Sequence, residues 1–155
     1  MHSGAPSFSG LKPASATTSR TKKKNRREGT LHEVILRRAL WRMGLRFRKN
    51  VRSLPGKPDI VFTRARLAVF CDGDFWHGRN WQSLKYKLHR GWNSPYWVAK
   101  IEGNRMRDRR NTALLMKSGW RVIRLWESTI RKDPLAAALR VRNAVESRRN
   151  GTASR

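Results

Sequence analysis

Residues 59–72 read DIVFTRARLAVFCD, two short apolar runs separated by a basic loop. Apolar runs rich in β-branched and aromatic residues are typical of buried strands. We therefore expect strands at 59–62 and 66–71, joined as a hairpin. The open end of a hairpin brings its first and last residues together, so Asp59 and Asp72 should lie close to each other in the folded chain.

The segment before this hairpin predicts a helix and an edge strand. Thr30 and Glu33 have the spacing of a capping box, which predicts a helix that runs to about Met43. Gly44 is then expected to end that helix. Residues 46–51 alternate basic with other side chains, which indicates a short strand at the edge of the sheet.

The segment after the hairpin predicts a crossover back to the sheet. We expect a long loop at 73–93, a helix at 95–117 with Ser94 as its N-cap, a strand at 120–126 and a last helix at 134–147. A helix that connects two neighbouring strands normally leaves them parallel. The predicted order α-β-β-β-α-β-α therefore describes an α/β fold, a small mixed sheet flanked by helices.

The charge of the chain is extreme. Its 155 residues include 36 lysines and arginines but only 10 aspartates and glutamates, which gives a formal net charge of +26. A charge of this size favours a polyanionic partner, and nucleic acid is the commonest one. No segment approaches the roughly 18 apolar residues of a membrane-spanning helix, so we expect no membrane partner.

Composition divides the chain into three parts. Residues 1–28 are poor in apolar side chains and end in a basic cluster, so we expect a disordered tail that either solubilises the protein or binds phosphates. Residues 29–148 should form one domain, and 149–155 a frayed end. Cys71 is the only cysteine, which excludes an internal disulfide. Without a visible secretory signal, this favours a reducing, cytoplasmic setting.

Acidic residues are scarce, so the position of each is informative. Two neighbouring carboxylates, Asp59 and Asp72, suit a hard divalent cation, and Mg²⁺ is favoured when the substrate is a phosphate. The alternative is that each aspartate caps a turn or neutralises an arginine. His77 follows Asp72 closely and could transfer a proton during hydrolysis, or it could be an ordinary hydrogen-bonding residue.

Two further acids have good structural explanations. The capping box accounts for Glu33, although the first turn of a helix can also direct a carboxylate at a metal. Asp108 lies within RMRDRR (105–110), where pairing with nearby arginines is the simpler interpretation. From their chemistry alone, neither residue is more than a secondary candidate.

The aromatic residues of the long loop lie among basic residues. Phe75, Trp76 and Trp97 could stack on bases or wedge between base steps. Trp81 and Trp92 could do the same, or they could form a small apolar core beneath the loop.

Four blocks of the sequence, LPGKPDIVF, RLAVFCDGDFWHG, SPYWVAKIEGNRMRDRRN and GWRVIRLWES, occur in that order within about residues 30–130. Together they resemble the very-short-patch repair (Vsr) mismatch endonucleases, which belong to the PD-(D/E)XK restriction-endonuclease-like superfamily. The resemblance implies that fold and a Mg²⁺-dependent endonuclease that nicks one DNA strand beside a T·G mismatch.

The resemblance also implies roles for individual residues. Asp59 matches the central metal-binding aspartate, and the backbone carbonyl of Cys71 matches a second metal ligand. His77 matches the catalytic histidine, Asp108 the aspartate that orients it, and Glu33 a glutamate near the metals. The family's aromatic wedge is matched by Phe75, Trp76 and Trp97.

The chain departs from the family pattern at two places. Typical members hold a structural zinc with cysteines and a histidine. The matching positions here are Asp74, Arg79, Trp81 and Ser128. They do not rebuild a zinc site, so we expect no zinc. Asp72 stands where a histidine is usual, which suggests a metal site richer in carboxylates. Both departures bear more on T·G specificity than on the nuclease chemistry.

The leading hypothesis is therefore a Mg²⁺-dependent DNA endonuclease that acts on double-stranded DNA as a monomer. We expect it to be associated with the nucleoid and to work beside mismatch-repair proteins. One alternative keeps the nuclease fold without a preference for mismatches. The other is a non-catalytic DNA-binding protein, which the clustered acids disfavour because they repel phosphate unless a cation intervenes.

Overall fold

The computed structural model describes residues 28–153, which form five helices and four strands. The predicted N-terminal tail lies outside these residues, apart from Glu28. The elements are α1 (Leu31–Arg42), β1 (Arg48–Lys49), β2 (Ile60–Phe62), β3 (Leu67–Asp72), α2 (Trp81–His89), α3 (Ser94–Lys117), β4 (Arg121–Trp126), α4 (Glu127–Lys132) and α5 (Pro134–Ala153).

The four strands form one mixed sheet in the order β1-β2-β3-β4. β2 pairs with both β1 and β3 in antiparallel fashion, and Ile60 lies opposite Val69. β3 and β4 are parallel, with Asp72 opposite Trp126. The predicted α/β fold is thus confirmed, including the hairpin, the edge strand and the parallel crossover.

Alternate residues of β3 face two separate apolar cores. Leu67, Val69 and Cys71 belong to the larger core, which also contains residues of α1, α4 and α5. Ala68 and Phe70 face the other way and pack against Leu115 of α3. The sheet is therefore sandwiched between α3 on one face and the remaining core helices on the other. Asp72, two residues after Phe70, lies on the same face of β3 as Phe70, the face that α3 covers.

Helix α2 lies within the segment that was predicted to be one long loop, so that expectation was wrong. None of its residues, Trp81–His89, is buried. It contributes no residue to either apolar core, so the pattern of buried segments in the sequence did not indicate it. The short helix α4 was missed as well, because it follows β4 without an intervening turn.

Two helix ends also differ from the expectation. The N-cap of α3 is Asn93 in a left-handed conformation (φ 57°), not Ser94. Asparagine tolerates this conformation, and its position puts Pro95 one residue further into the helix. Helix α5 continues to Ala153, past the predicted end near Ser147. No helix within residues 28–153 is both long and apolar enough to span a membrane.

The turn that carries His77 packs closely on α3 at Gly78. This glycine has φ +66°, and a Cβ there would lie 2.9 Å from Cδ of Arg105 and 3.0 Å from Cγ2 of the buried Ile101. We expect Gly78→Ala to lower the free energy of unfolding by about 1–3 kcal/mol, measured by urea denaturation.

The matched control for this prediction is Gly103→Ala, inside α3, where an added Cβ meets nothing within 4 Å. This change should be neutral or should raise the free energy of unfolding by about 0.5–1 kcal/mol. Equal effects of the two substitutions would contradict the close approach at Gly78.

Candidate active site

Asp59 is fixed at the start of β2 by three backbone contacts. Its N–H donates to the carbonyl of Val69 at 3.0 Å, and its own carbonyl accepts from the N–H of Asn50 and from Arg37. Its side-chain Oδ2 accepts a hydrogen bond from the N–H of Cys71 at 2.7 Å. The open end of the hairpin therefore places the Asp59 carboxylate directly against the end of β3.

The pKa of Asp59 is raised from 3.8 to about 6. Burial is the main cause, and the charges of Glu33 and Asp72 add to it. The hydrogen bond from Cys71 and the charge of Arg37 act in the opposite direction. The Asp59 carboxylate is thus partly desolvated, and Arg37 and the N–H of Cys71 do not fully compensate for the negative charges around it.

Of the two groups of Cys71 that could bind a metal, the backbone carbonyl is a better candidate than the thiol. Burial, followed by the charge of Asp59, raises the pKa of the thiol well above its usual value, so the thiol stays protonated and is a poor metal ligand. The carbonyl oxygen of Cys71 lies 3.3 Å from Nε2 of His32. Since His32 is buried in the first turn of α1, that helix is in contact with the end of β3.

Glu33 lies at the same end of the sheet but is engaged by its own helix. Its carboxylate accepts hydrogen bonds from the N–H of Gly29 and the hydroxyl of Thr30, both at 2.9 Å, and pairs with Arg37 at 3.2 Å. Thr30 is the N-cap residue, but its side chain does not cap the helix backbone. The expected capping box is therefore replaced by a direct contact between the two side chains.

Both carboxylate oxygens of Asp72 are bound by Arg124. The Nε and Nη2 atoms of Arg124 lie 2.7 Å and 2.8 Å from the two oxygens, and Asp72 is buried. In this arrangement Arg124 contacts both oxygens of Asp72, and the role of Asp72 as a metal ligand stays a prediction. The structural alternative, pairing with an arginine, describes its contacts.

His77 and Asp108 form the closest pair in the site. Nδ1 of His77 lies 2.6 Å from Asp108 and 3.6 Å from Asp72. Burial lowers the pKa of His77, but the hydrogen bond to Asp108 and the two acidic charges outweigh it, so the pKa is raised. Because a carboxylate only accepts, Nδ1 carries the proton, which leaves Nε2 as the nitrogen that can exchange one.

Arg124 connects Asp72 with the His77–Asp108 pair, so that the four side chains form one network. Besides Asp72, it binds Asp108 at 2.9 Å and Thr112 at 3.3 Å, and its guanidinium lies 4.4 Å from the ring centre of Phe70. Sequence reasoning missed Arg124, His32 and Arg37. The available signal for Arg124 was a charged residue in the middle of the apolar strand RVIRLW.

The three predicted wedge residues form one aromatic cluster beside His77. The ring of Phe75 lies 5.2 Å from Trp76 and 5.7 Å from Trp97, and Trp76 and Trp97 are 6.0 Å apart. Phe75 is 38 % exposed. The residues predicted to contact DNA are thus brought together at the same end of the sheet as the acids.

The positions that match the family's zinc ligands make other contacts. Asp74 accepts from the N–H of Ser128 at 3.3 Å and lies 3.7 Å from Arg79. Trp81 packs against the cation of Arg105 at 5.3 Å. Among residues 28–153, no group of three or more histidines, cysteines and acids is arranged to hold a metal. The predicted metal ligands, Asp59, Asp72 and the backbone carbonyl of Cys71, therefore stay a prediction.

The fold and the site together define a class of protein. A small mixed sheet is flanked by helices, and an aspartate, a histidine–aspartate pair and an aromatic cluster lie at one end of it. This architecture is an α/β fold of the restriction-endonuclease-like kind.

Comparisons with known proteins identify the family. The family model described as DNA mismatch endonuclease Vsr matches residues 13–83. The type II nicking enzyme V.HpaIIP of Haemophilus parainfluenzae is 39 % identical over 127 residues, which are 82 % of this chain and 89 % of that enzyme. V.NmeDIP of Neisseria meningitidis serogroup C is 43 % identical over 124 residues, 80 % of this chain and 82 % of the enzyme. The DNA mismatch endonuclease Vsr of Escherichia coli is 37 % identical over 115 residues, 72 % of each chain.

The chain belongs to the Vsr DNA mismatch endonuclease family. It is therefore a DNA endonuclease, a hydrolase whose substrate is DNA, and its excess positive charge fits that substrate.

The buried pair between Asp72 and Arg124 leads to a prediction on stability. Arg124→Met leaves Asp72 buried without its partner, so we expect the free energy of unfolding to fall by about 3–5 kcal/mol. Combining Arg124→Met with Asp72→Asn should recover most of this loss, because no unpaired charge remains. A double-mutant cycle measured in urea gives the coupling.

The control for this cycle is Arg131→Met. Arg131 pairs with Glu127 at 3.5 Å on the surface of α4, so its loss should cost less than about 1 kcal/mol. Additive effects of the Arg124 and Asp72 substitutions would argue against the pair.

The raised pKa of Asp59 leads to a prediction on pH dependence. The folded state holds this proton more tightly than the unfolded chain does, so stability is fully present below pH about 4 and is lost as the pH rises through about 6. With EDTA present, Asp59→Asn should therefore raise the free energy of unfolding at neutral pH by about 3 kcal/mol. The difference should vanish below pH about 4. An equal gain at both pH values would mean that ionisation is not the cause.

Proposed function

We propose that this endonuclease nicks one strand of double-stranded DNA at T·G mismatches with the help of Mg²⁺. The observation that carries the proposal is the convergence at one end of the sheet. Asp59 contacts Cys71 at 2.7 Å, His77 contacts Asp108 at 2.6 Å, and the aromatic cluster adjoins them. A ligand for the cation, a proton-transfer pair and a surface for distorting DNA are thereby close together.

Asp59 and the carbonyl of Cys71 would hold the cation. Mg²⁺ binds through one or two carboxylates, keeps several waters and takes further ligands from the substrate phosphate, so a sparse set of protein oxygens suits it. The pKa of Asp59 is raised mainly by burial and further by the charges of Glu33 and Asp72, and a bound cation would offset both of these costs of the ionised carboxylate. When bound, Mg²⁺ supplies charge stabilisation at the phosphate and the leaving oxygen.

Asp72 has a different role in this proposal from the one that the sequence suggested. Its two oxygens hold Arg124, and its charge acts on His77 from 3.6 Å. Glu33 likewise acts through its charge and through Arg37 rather than by direct contact. Both residues therefore position and polarise the site.

His77 would serve as the base. With Nδ1 held by Asp108, its Nε2 can accept a proton from the attacking water. Asp108 fixes the ring and stabilises the imidazolium that this step produces, while Arg124 keeps Asp108 in place. The neutral form of His77 is the reactive one, so activity should rise with pH through the pKa of His77.

Mismatch selection would use the aromatic cluster. Rings that enter between base steps unstack and bend the duplex, which is easiest where pairing is already imperfect. The relatives' names, mismatch endonuclease and nicking enzyme, support this substrate. The alternative, a nuclease without mismatch preference, keeps the same chemistry and differs only in this step.

The test is a nicking assay on a labelled T·G duplex and its fully matched counterpart, with Mg²⁺ or with EDTA. We expect Asp59→Asn to abolish nicking and His77→Ala to lower the rate constant about 10²- to 10⁴-fold. The control Asp133→Asn alters an exposed carboxylate at the start of α5 and should nick normally.

Three outcomes decide between the hypotheses. Nicking by Asp59→Asn at the normal rate would overturn the metal assignment, and full activity in EDTA would overturn the requirement for Mg²⁺. Equal rates on the matched and mismatched duplexes would leave a nuclease without mismatch preference.

A further inference from the structure

A groove between α1 and β1 lies outside the site described above. We call it the α1–β1 groove. Its volume is about 570 Å³, and it is lined chiefly by Arg37, Arg38, Trp41, Arg42, Phe47 and Lys49. A volume of this size falls within the range of ligand pockets.

Cationic side chains border the groove, although most of its own surface is apolar. Arg38, Arg42 and Lys49 are exposed, and the guanidinium of Arg46 lies 3.6 Å from the ring centre of Trp41 at the same surface. No acidic side chain lines the groove within the described residues. The cations of the groove are therefore placed for an anionic occupant.

The floor of the groove is aromatic. Trp41 is 56 % exposed, although an indole buries a large apolar surface when it is covered. Phe47 packs edge-on against Phe62 of β2, with ring centres 5.9 Å apart, and is thereby fixed to the sheet. An exposed flat ring among cations is the arrangement that binds a nucleic-acid strand, because rings contact bases and sugars while cations contact phosphates.

The groove is connected to the active site through one residue. Arg37 lines the groove, and its Nη2 atom donates to the backbone carbonyl of Asp59 at 3.1 Å and pairs with Glu33 at 3.2 Å. The groove and the active site therefore share Arg37 as a common residue.

We propose that the α1–β1 groove binds the DNA strand that flanks the cut, with Arg38, Arg42 and Lys49 on its phosphates and Trp41 against a base or sugar. The inference rests on DNA as the substrate of the proposed function. A second copy of this chain is a poor occupant, since two surfaces of a protein with net charge +26 repel each other. An acidic segment of another protein is the rival occupant.

The first experiment measures binding of the full chain to a short fluorescent T·G duplex by anisotropy in EDTA, which prevents metal-dependent cleavage. Arg38→Ala/Arg42→Ala should weaken binding at least about tenfold and should reduce the slope of log K against log salt by about 2, one for each lost phosphate contact. Trp41→Ala should weaken binding about tenfold without changing the slope, and Trp41→Phe should restore most of it.

The matched control is Arg64→Ala/Arg121→Ala. It also removes two exposed arginines, but these lie at the far end of the sheet, by the hairpin loop and the start of β4. It should leave the slope nearly unchanged. Circular dichroism and thermal unfolding of each variant show whether it is folded.

The second experiment locates the DNA directly. Since Cys71 is the only cysteine in the chain and is buried, a cysteine introduced on the surface can carry a photocrosslinker alone. Lys49→Cys should crosslink to nucleotides on one side of the cut, and Arg64→Cys at the far end should not.

Equal losses of affinity in the groove and control variants, or crosslinking at position 64 and none at 49, would overturn the inference. Unchanged DNA binding by all groove variants would do the same and would favour the acidic protein segment. Failure of the proposed function would be seen as the absence of nicking by the unmodified chain. Failure of the inference about the groove would be seen only in the binding and crosslinking measurements.

Discussion

The guanidinium of Arg124 joins the parts of the site that come from different elements. It extends from β4 to Asp72 at the end of β3 and to Asp108 and Thr112 on α3. Removing one arginine and two carboxylates from water is costly, and the cost is offset only when each charge has partners at hydrogen-bonding distance. The contacts of Arg124 meet that condition, and they also hold Asp108 where it can bind His77. Arg124 thus sets the position of His77 indirectly, through Asp108.

The parallel pairing of β3 and β4 makes this network geometrically available. In their register Phe70 lies opposite Arg124 and Asp72 opposite Trp126. Alternation along the strand puts Phe70, Asp72 and Arg124 on the face that α3 covers. The crossover helix therefore does more than connect two strands. Because α3 is long, it places Asp108 and Thr112 over the same face of the sheet. The helix that connects β3 to β4 therefore also supplies Asp108, which is hydrogen-bonded to His77.

The fold could be predicted from the sequence because its signals are local. The apolar runs around Asp59 and Cys71, the glycine at the end of α1 and the strand RVIRLW each indicate their own structure. The helix α2 could not be predicted in this way, since it buries no residue. Asp59, His77 and Asp108 could be singled out as candidates by their chemistry and the family resemblance. The pairing of Asp72 with Arg124 could not be predicted, because Arg124 lies in another strand, far away in the sequence.

The distribution of charge explains how such a basic protein can have an acidic site. Of the ten acids in the chain, Glu33, Asp59, Asp72 and Asp108 gather at one end of the sheet. Arg37 and Arg124 hold three of the four, and Asp59 is left with the raised pKa. The cations of the surrounding surface attract the DNA backbone over a long range. At short range, the ionised Asp59 disfavours a phosphate next to it. Under the proposed function, a cation at Asp59 would remove this repulsion, so that the binding of DNA and of the cation at the cut would depend on each other. The α1–β1 groove would bind the flanking strand without the metal, because its cations act on the phosphates directly.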